Sequence, residues 1–248
     1  MTAAASPPAL TLCTATAREM KAVLGAWRTT GAPRPRIPEE GAWSEAVLAG
    51  RPCCLLLTGI GVINAALSLE RLFAGRPDVA GVLNLGVAGS FDCASLPIGC
   101  AAAVKQEIWP EYGLRTEDGV DPQGIRLALG RVDGALIWDR LELSPESAAR
   151  SLGLHLPASL PHVVSITVSG VTGTLARAER LAAQYACLLE NMEGFALAYA
   201  CACRRIPFVQ VRTVSNRVGS RANWNLDLAL NNLGTIASGL FGESGQAS

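Results

Sequence analysis

Residues 53–73 read Cys-Cys-Leu-Leu-Leu-Thr-Gly-Ile-Gly-Val-Ile-Asn-Ala-Ala-Leu-Ser-Leu-Glu-Arg-Leu-Phe. Cys53–Thr58 is a short apolar run closed by a polar residue and glycine, which predicts a strand buried on both faces. Val62–Phe73 then carries apolar residues at helical spacing, so the stretch predicts strand, two-glycine turn and helix, the repeating unit of an α/β fold. The same alternation extends outward in both directions. Strands are predicted at Leu10–Thr14, Val79–Leu85, Cys100–Ile108, Val163–Val168 and Phe208–Val214, and helices at about Ala17–Trp27, Leu175–Gln184, Glu193–Arg204 and Trp224–Ser238. Strands that read as continuous apolar runs point to a largely parallel sheet between helix layers. No repeat or biased linker divides the chain, and Gly31–Gly41 and Trp109–Gly134 read as excursions from one domain spanning residues 1–248.

Half of the 248 residues are apolar and 17% are charged, as in a globular protein with a large core. Lys plus Arg equals Asp plus Glu at 21 each, so no net field favours nucleic acid or an anionic membrane. Met1–Ala9 lacks the basic and apolar regions of a signal peptide, and the most apolar stretch, Ala186–Cys203, is broken by Glu190, Asn191 and Glu193. Eight cysteines in such a chain are expected to be reduced thiols, which implies a cytoplasmic location. Neither Cys53–Cys54 nor Cys201 and Cys203 have metal-ligand spacing. The two histidines, His155 and His162, flank the Pro-rich turn Leu156–Pro161. A zinc site or a histidine-based triad is not expected.

In sheets of this kind ligands bind at the carboxyl ends of strands. The turn Gly59-Ile-Gly-Val-Ile-Asn64 lacks the third glycine of a dinucleotide fingerprint; it reads as a tight turn whose amides, Gly61 among them, face an anion or a ribose. Asn84-Leu-Gly-Val-Ala-Gly-Ser90 would let a flat ring approach the main chain of Val87, Ala88 and Gly89, although structural glycine turns look alike. Glu193 opens an apolar helix; it reads either as a charge on the helix dipole or as a carboxylate accepting hydrogen bonds from a ligand diol. Arg212 lies inside an apolar strand and needs an anion or a carboxylate, for which Glu19 on the first helix is one choice.

In this order the motifs resemble the nucleoside phosphorylase/hydrolase superfamily. They are most similar to its nucleosidases for 5′-modified nucleosides, and within those to the futalosine hydrolase family. The matching segments are Thr14-Ala-Thr16 with Glu19, Thr58–Ala65, Gly86–Phe91, Val168–Gly173, Asn191-Met-Glu-Gly194 and Val211–Gly219, and Lys105–Leu114 with Glu117–Gly119 resembles the futalosine branch. The resemblance implies a three-layer α/β/α fold around a mixed, partly barrel-like sheet, assembled as a homodimer or larger. It implies hydrolysis of the N-glycosidic bond of a purine nucleoside, in that branch futalosine on the menaquinone route, with no metal or organic cofactor. Glu193 would meet the ribose hydroxyls with Asn191 beside it, Met192 would pack under the sugar, and Glu19, oriented by Arg212, would activate water. An anion near the ring suits an oxocarbenium-like transition state.

Three positions depart from the adenine-releasing pattern. Asn216 replaces an acidic proton donor, and its amide suits a 6-oxopurine. Val87 replaces a serine that helps to hold water, and Gly173 falls where an aromatic ring stacks on the base. Phosphorolysis of inosine or guanosine is the enzymatic alternative, but Asn84–Asp92 has no basic residue for a phosphate dianion. A nucleoside-binding protein without activity would not need Glu19, Glu193 and Arg212 together. Arg217 and Arg221 are candidates for an anionic 5′-substituent through their proximity to Asn216 in sequence.

Overall fold

A computed structural model describes residues 9–27, 35–117, 119–220, 222 and 224–242. The strands are β1 (Ala9–Thr14), β2 (Trp43–Leu48), β3 (Arg51–Leu57), β4 (Val79–Ser90), β5 (Ala101–Ile108), β6 (Leu114–Arg115), β7 (Val120–Asp121), β8 (Gly130–Val132), β9 (Ala135–Ile137), β10 (Arg140–Glu142), β11 (His162–Thr167), β12 (Leu189–Asn191) and β13 (Phe208–Arg217). The helices are α1 (Ala17–Gly25), α2 (Val62–Gly75), α3 (Pro145–Ser151), α4 (Leu175–Tyr185), α5 (Gly194–Arg204) and α6 (Leu226–Leu240).

Nine strands form one sheet, in the order β10-β5-β11-β12-β4-β1-β3-β2, with β13 hydrogen-bonded to both β4 and β5. That double pairing closes β4, β13, β5, β11 and β12 into a barrel, from which β1, β3 and β2 extend as an open tail. The expectation of a largely parallel sheet gives way to a mixed one. β1–β3, β1–β4, β11–β12, β11–β5 and β13–β4 are parallel, whereas β10–β5, β12–β4, β13–β5 and β2–β3 are antiparallel. The antiparallel pairs β13–β5 and β12–β4 are the ones that close the barrel, and apolar composition does not distinguish strand direction.

Helices cover both faces, giving the expected three layers. α1, α3 and α6 enclose a core with Leu10, Leu12, Met20, Leu83 and Leu233; α2 and α5 enclose another with Leu56, Leu69, Leu72, Leu197 and Phe208. The Gly59–Asn64 turn is made possible by left-handed backbone at Gly59 (φ +80) and Gly61 (φ +91). β4 runs through the glycine motif as strand up to Ser90, so the segment read as a loop after Leu85 is part of the barrel wall. The Trp109–Gly134 excursion contains the small hairpin β6–β7 and ends within a second, β8–β9, whose strand β9 lies just beyond it. Residues 31–34 of the first excursion, Asp118 of the second, and Arg221 lie outside the described residues.

Candidate active site

Glu19 stands at the third position of α1, 4% exposed, inside a reciprocal capping box. Its Oε2 accepts from the Thr16 N–H at 2.9 Å and the Thr16 hydroxyl at 2.8 Å, while the Thr16 Oγ1 accepts from the Glu19 N–H. Its Oε1 crosses to β4 and accepts from the Val87 N–H at 2.9 Å. The residue is thus aimed by a helix cap on one side and a strand amide on the other.

Arg212 projects from the middle of β13 and is 1% exposed. The expectation that it orients Glu19 is corrected: among the described residues no ion pair joins them, and the carboxylate Arg212 meets is Glu193, Nη2 to Oε2 at 3.5 Å. Nη2 also donates to Asn191 Oδ1 at 3.2 Å and Nη1 to the Val87 carbonyl at 3.5 Å. Arg212 and Glu19 nevertheless share a location, because a Cβ on Gly86 would overlap Arg212 Nη1 and lie 2.9 Å from Glu19 Oε1. Gly86 is therefore spent on a close approach by the protein's own side chains instead of a ligand ring.

Glu193 is the N-cap residue of α5, 5% exposed, and its Oε1 accepts from the Gly61 N–H at 3.1 Å. The amide of the two-glycine turn thus meets an anion belonging to the chain itself. Burial pushes the Glu193 carboxyl above its ordinary value; Arg212 opposes that shift, and the nearby charge of Glu19 adds to it. Asn191 is engaged wholly within the protein. Its Oδ1 accepts from the Glu193 and Gly194 N–H groups at 3.0 and 2.6 Å, and its Nδ2 donates to Glu107, Ser165 and the Ile166 carbonyl. Its side-chain amide therefore holds Glu193 and the start of α5 from behind. Met192 is partly buried against the cluster of Ile108, Ile166 and Val168.

Asn216 reaches the same end of the barrel, paired in register with Gly89. A Cβ on Gly89 would stand 3.0 Å from Asn216 Nδ2 and 2.8 Å from Val218. The Asn216 amide is turned onto the protein, its Oδ1 accepting from the Ser215 hydroxyl at 2.8 Å and its Nδ2 donating to the Arg217 carbonyl at 3.0 Å. Arg217 itself is exposed and its charge acts on Asp92. A side chain at Gly173 would meet open space, so no ring from that loop covers this end.

Sequence reasoning passed over three carboxylates. Glu190 on β12 accepts from the Thr172 N–H at 2.9 Å and the Thr172 hydroxyl at 2.5 Å, and Glu111 accepts from the Ser169 N–H at 3.1 Å, so both pin the 168–173 loop. Glu107 on β5 is fully buried beneath Asn191. Among the described residues, no group of three His, Cys, Asp or Glu side chains could hold a metal ion.

A mixed barrel with two carboxylates and an arginine gathered at one end of its strands defines a class before it defines a protein. Residues 11–240 match the phosphorylase superfamily family model, and the chain belongs to that superfamily. Two curated relatives are futalosine hydrolases: that of Thermus thermophilus is 34% identical over 81% of this chain and 86% of its own, and that of Streptomyces coelicolor 33% identical over 71% and 73%. Among solved structures, the native futalosine hydrolase of Helicobacter pylori superposes with a TM-score of 0.71 at 20% identity, covering 96% of both chains. A 5′-methylthioadenosine/S-adenosylhomocysteine nucleosidase of the same organism gives 0.72 at 20%, covering 94% of this chain and 95% of that one. At such identities the superpositions establish the shared fold.

Proposed function

We propose that this chain hydrolyses the N-glycosidic bond of futalosine, releasing hypoxanthine and dehypoxanthine futalosine, and so serves menaquinone biosynthesis in the cytoplasm. The reading rests on its kinship with two curated futalosine hydrolases and on one geometric observation: two buried carboxylates converge on Val87 of β4, Glu19 directly through its N–H and Glu193 through Arg212, which donates to its carbonyl. Glu193 accepts from the ribose hydroxyls, with Met192 beneath the sugar, and its charge stabilises the cation that grows on the ring as the bond breaks. Glu19 takes the proton of the attacking water. A carboxylate has about four lone-pair positions; Thr16 and the Val87 amide occupy three on Glu19, leaving one on Oε1 for that water. Gly61 N–H holds Glu193 in place, and the main chain of Ala88 and Gly89, with the Asn216 amide turned outward from Arg217, receives the base. Arg217 reaches the anionic 5′-substituent.

Hydrolysis is favoured over phosphorolysis because Asn84–Asp92 carries no basic residue, and Arg212, which reaches Gly86, is engaged by Glu193 and Asn191. Initial rates of hypoxanthine release from futalosine should be equal with and without phosphate, with a free sugar as co-product. Recovery of a sugar 1-phosphate would replace this reading with phosphorolysis. The exposed apolar side chains Ile60, Ile63 and Leu67 beside the Gly61 turn fit a homo-oligomer, which light scattering tests directly.

A further inference from the structure

Glu107 has no place in the chemistry proposed above, yet it is the most enclosed carboxylate of the region, with no exposed surface. Its Oε1 accepts from Asn191 Nδ2 at 2.8 Å and from Gln210 Nε2 at 2.6 Å, and its Oε2 from the Thr167 hydroxyl at 2.8 Å. Thr167 Oγ1 in turn accepts from the Phe195 N–H of α5 at 2.8 Å, and Gln210 Oε1 accepts from Asn84 Nδ2 at 3.0 Å. The network lies under the first turn of α5, and Gly194 is without a side chain because a Cβ there would overlap Glu107 and Gln210.

An asparagine amide has two orientations of nearly identical shape and opposite hydrogen-bonding sense. In the orientation observed, the Asn191 carbonyl faces three donors: the N–H groups of Glu193 and Gly194 and Arg212 Nη2. Turned over, the amide would set NH2 against all three. The atoms that define the correct orientation are the acceptors on the other side, and Glu107 supplies the carboxyl oxygen among them. We propose that Glu107 is a positioning residue of the active site: it fixes the amide of Asn191 and, through it, aims Glu193 and Arg212. The inference rests on the reading that Glu193 contacts the substrate.

What the role requires is an acceptor toward Asn191 and Gln210, and either protonation state supplies it. A glutamine also supplies it, with its Oε1 toward Asn191 and Gln210 and its NH2 toward Thr167 Oγ1. Glu107→Gln should therefore keep kcat within about threefold of wild type. Asn191→Asp sets a carboxylate against Glu107 and, at mildly alkaline pH, should lower kcat at least about tenfold while changing KM less. Combining the two should restore much of the loss, since the amide introduced at position 107 can turn over and donate to the carboxylate introduced at position 191, with the Gln210 and Asn84 amides turning over to match. Hydrogen exchange at the Glu193 and Gly194 amides reads the same geometry without turnover: protection should fall in Asn191→Asp and return in the double variant. Failure of wild type to cleave futalosine would defeat the functional reading alone, and the exchange measurement would still decide the positioning role. A double variant as impaired as Asn191→Asp in both readouts, or a Glu107→Gln variant tenfold slower at unchanged Tm, would overturn it.

Discussion

Glu193 sits where burial opposes its charge and where Arg212 and the Gly61 amide support it. A group held in that balance is pre-organised for a positive charge that exists only as the glycosidic bond breaks. Glu193→Gln should lower kcat/KM by two or more orders of magnitude, about 3 kcal/mol of transition-state stabilisation, measured as hypoxanthine release under subsaturating substrate. If Glu193 were only a helix-terminus charge, kcat/KM would survive and stability alone would change, by less than about 1 kcal/mol. Glu19→Gln should stop turnover while leaving the dissociation constant of a non-hydrolysable analogue nearly unchanged; loss of binding with normal turnover would remove it from the role of base. The legibility of these residues in the sequence was uneven. Glu193, Arg212 and Glu19 stood out because charges within apolar segments demand partners, but which carboxylate Arg212 meets is a property of barrel closure and could not be read from spacing. Glu107 was hidden for a sharper reason. Period-two alternation puts it on the face of the exposed Lys105, but β5 carries an irregularity there: Val163 and Val164 of β11 face Val104 and Gln106, skipping Lys105. The extra residue reverses the faces beyond it.

At the scale of elements, two helix starts carry the site, and each is sensitive to one atom. Thr16→Ala removes the cap of α1, worth about 1 kcal/mol, and disturbs two of the three donors on the Glu19 carboxylate. The Thr16 N–H remains in the alanine variant but the hydroxyl that also holds Oε2 is lost, so kcat should fall as well, with Tm about 2–4 °C lower. An unchanged kcat would show that the capping box does not aim Glu19. Gly194→Ala introduces a Cβ against Gln210 Oε1 at 2.6 Å and against Glu107, and should cost about 1–3 kcal/mol in denaturant unfolding. A neutral substitution would mean that the network below α5 is loose. The helices α1, α2, α4, α5 and α6 and five of the core strands were legible from periodicity to within a few residues, and β4 was legible but five residues short of its end at Ser90. β2, α3, β12 and the two- and three-residue strands β6 to β10 were not. β2 alternates partly buried and exposed residues around Glu45 at a sheet edge, α3 has seven residues, and β12 has three, so none offers a window long enough for a periodic signal.

Across the whole molecule, barrel closure brings buried carboxyls together, and this has a consequence for pH. Burial raises Glu107, Glu190 and Glu193 above the ordinary 4.5, so the folded state keeps protons that the unfolded chain has lost, and stability falls as pH rises through that window. Asp78 and Asp92 are lowered from 3.8 by hydrogen bonds to Arg76 and Ser95, and their contribution disappears only as pH falls below that value. The Tm at about pH 5 should therefore be no lower than at about pH 7, and Glu107→Gln should flatten the slope between them. A Tm that drops steeply on going from about pH 7 down to about pH 5 would show that these carboxyls are ionised at little cost inside the fold. Among the described residues no helix is long and apolar enough to cross a membrane. The central claim concerns the base and the bond together, and it is tested most directly by kcat/KM for futalosine against its 6-amino counterpart. An Asn216 amide that donates to O6 and accepts from protonated N7 is complementary to the leaving hypoxanthine; mispairing one such contact costs about 1–3 kcal/mol. Wild type should prefer futalosine by at least about tenfold, and Asn216→Asp should lose or reverse that preference. A wild-type enzyme that releases adenine as readily as hypoxanthine would contradict the account.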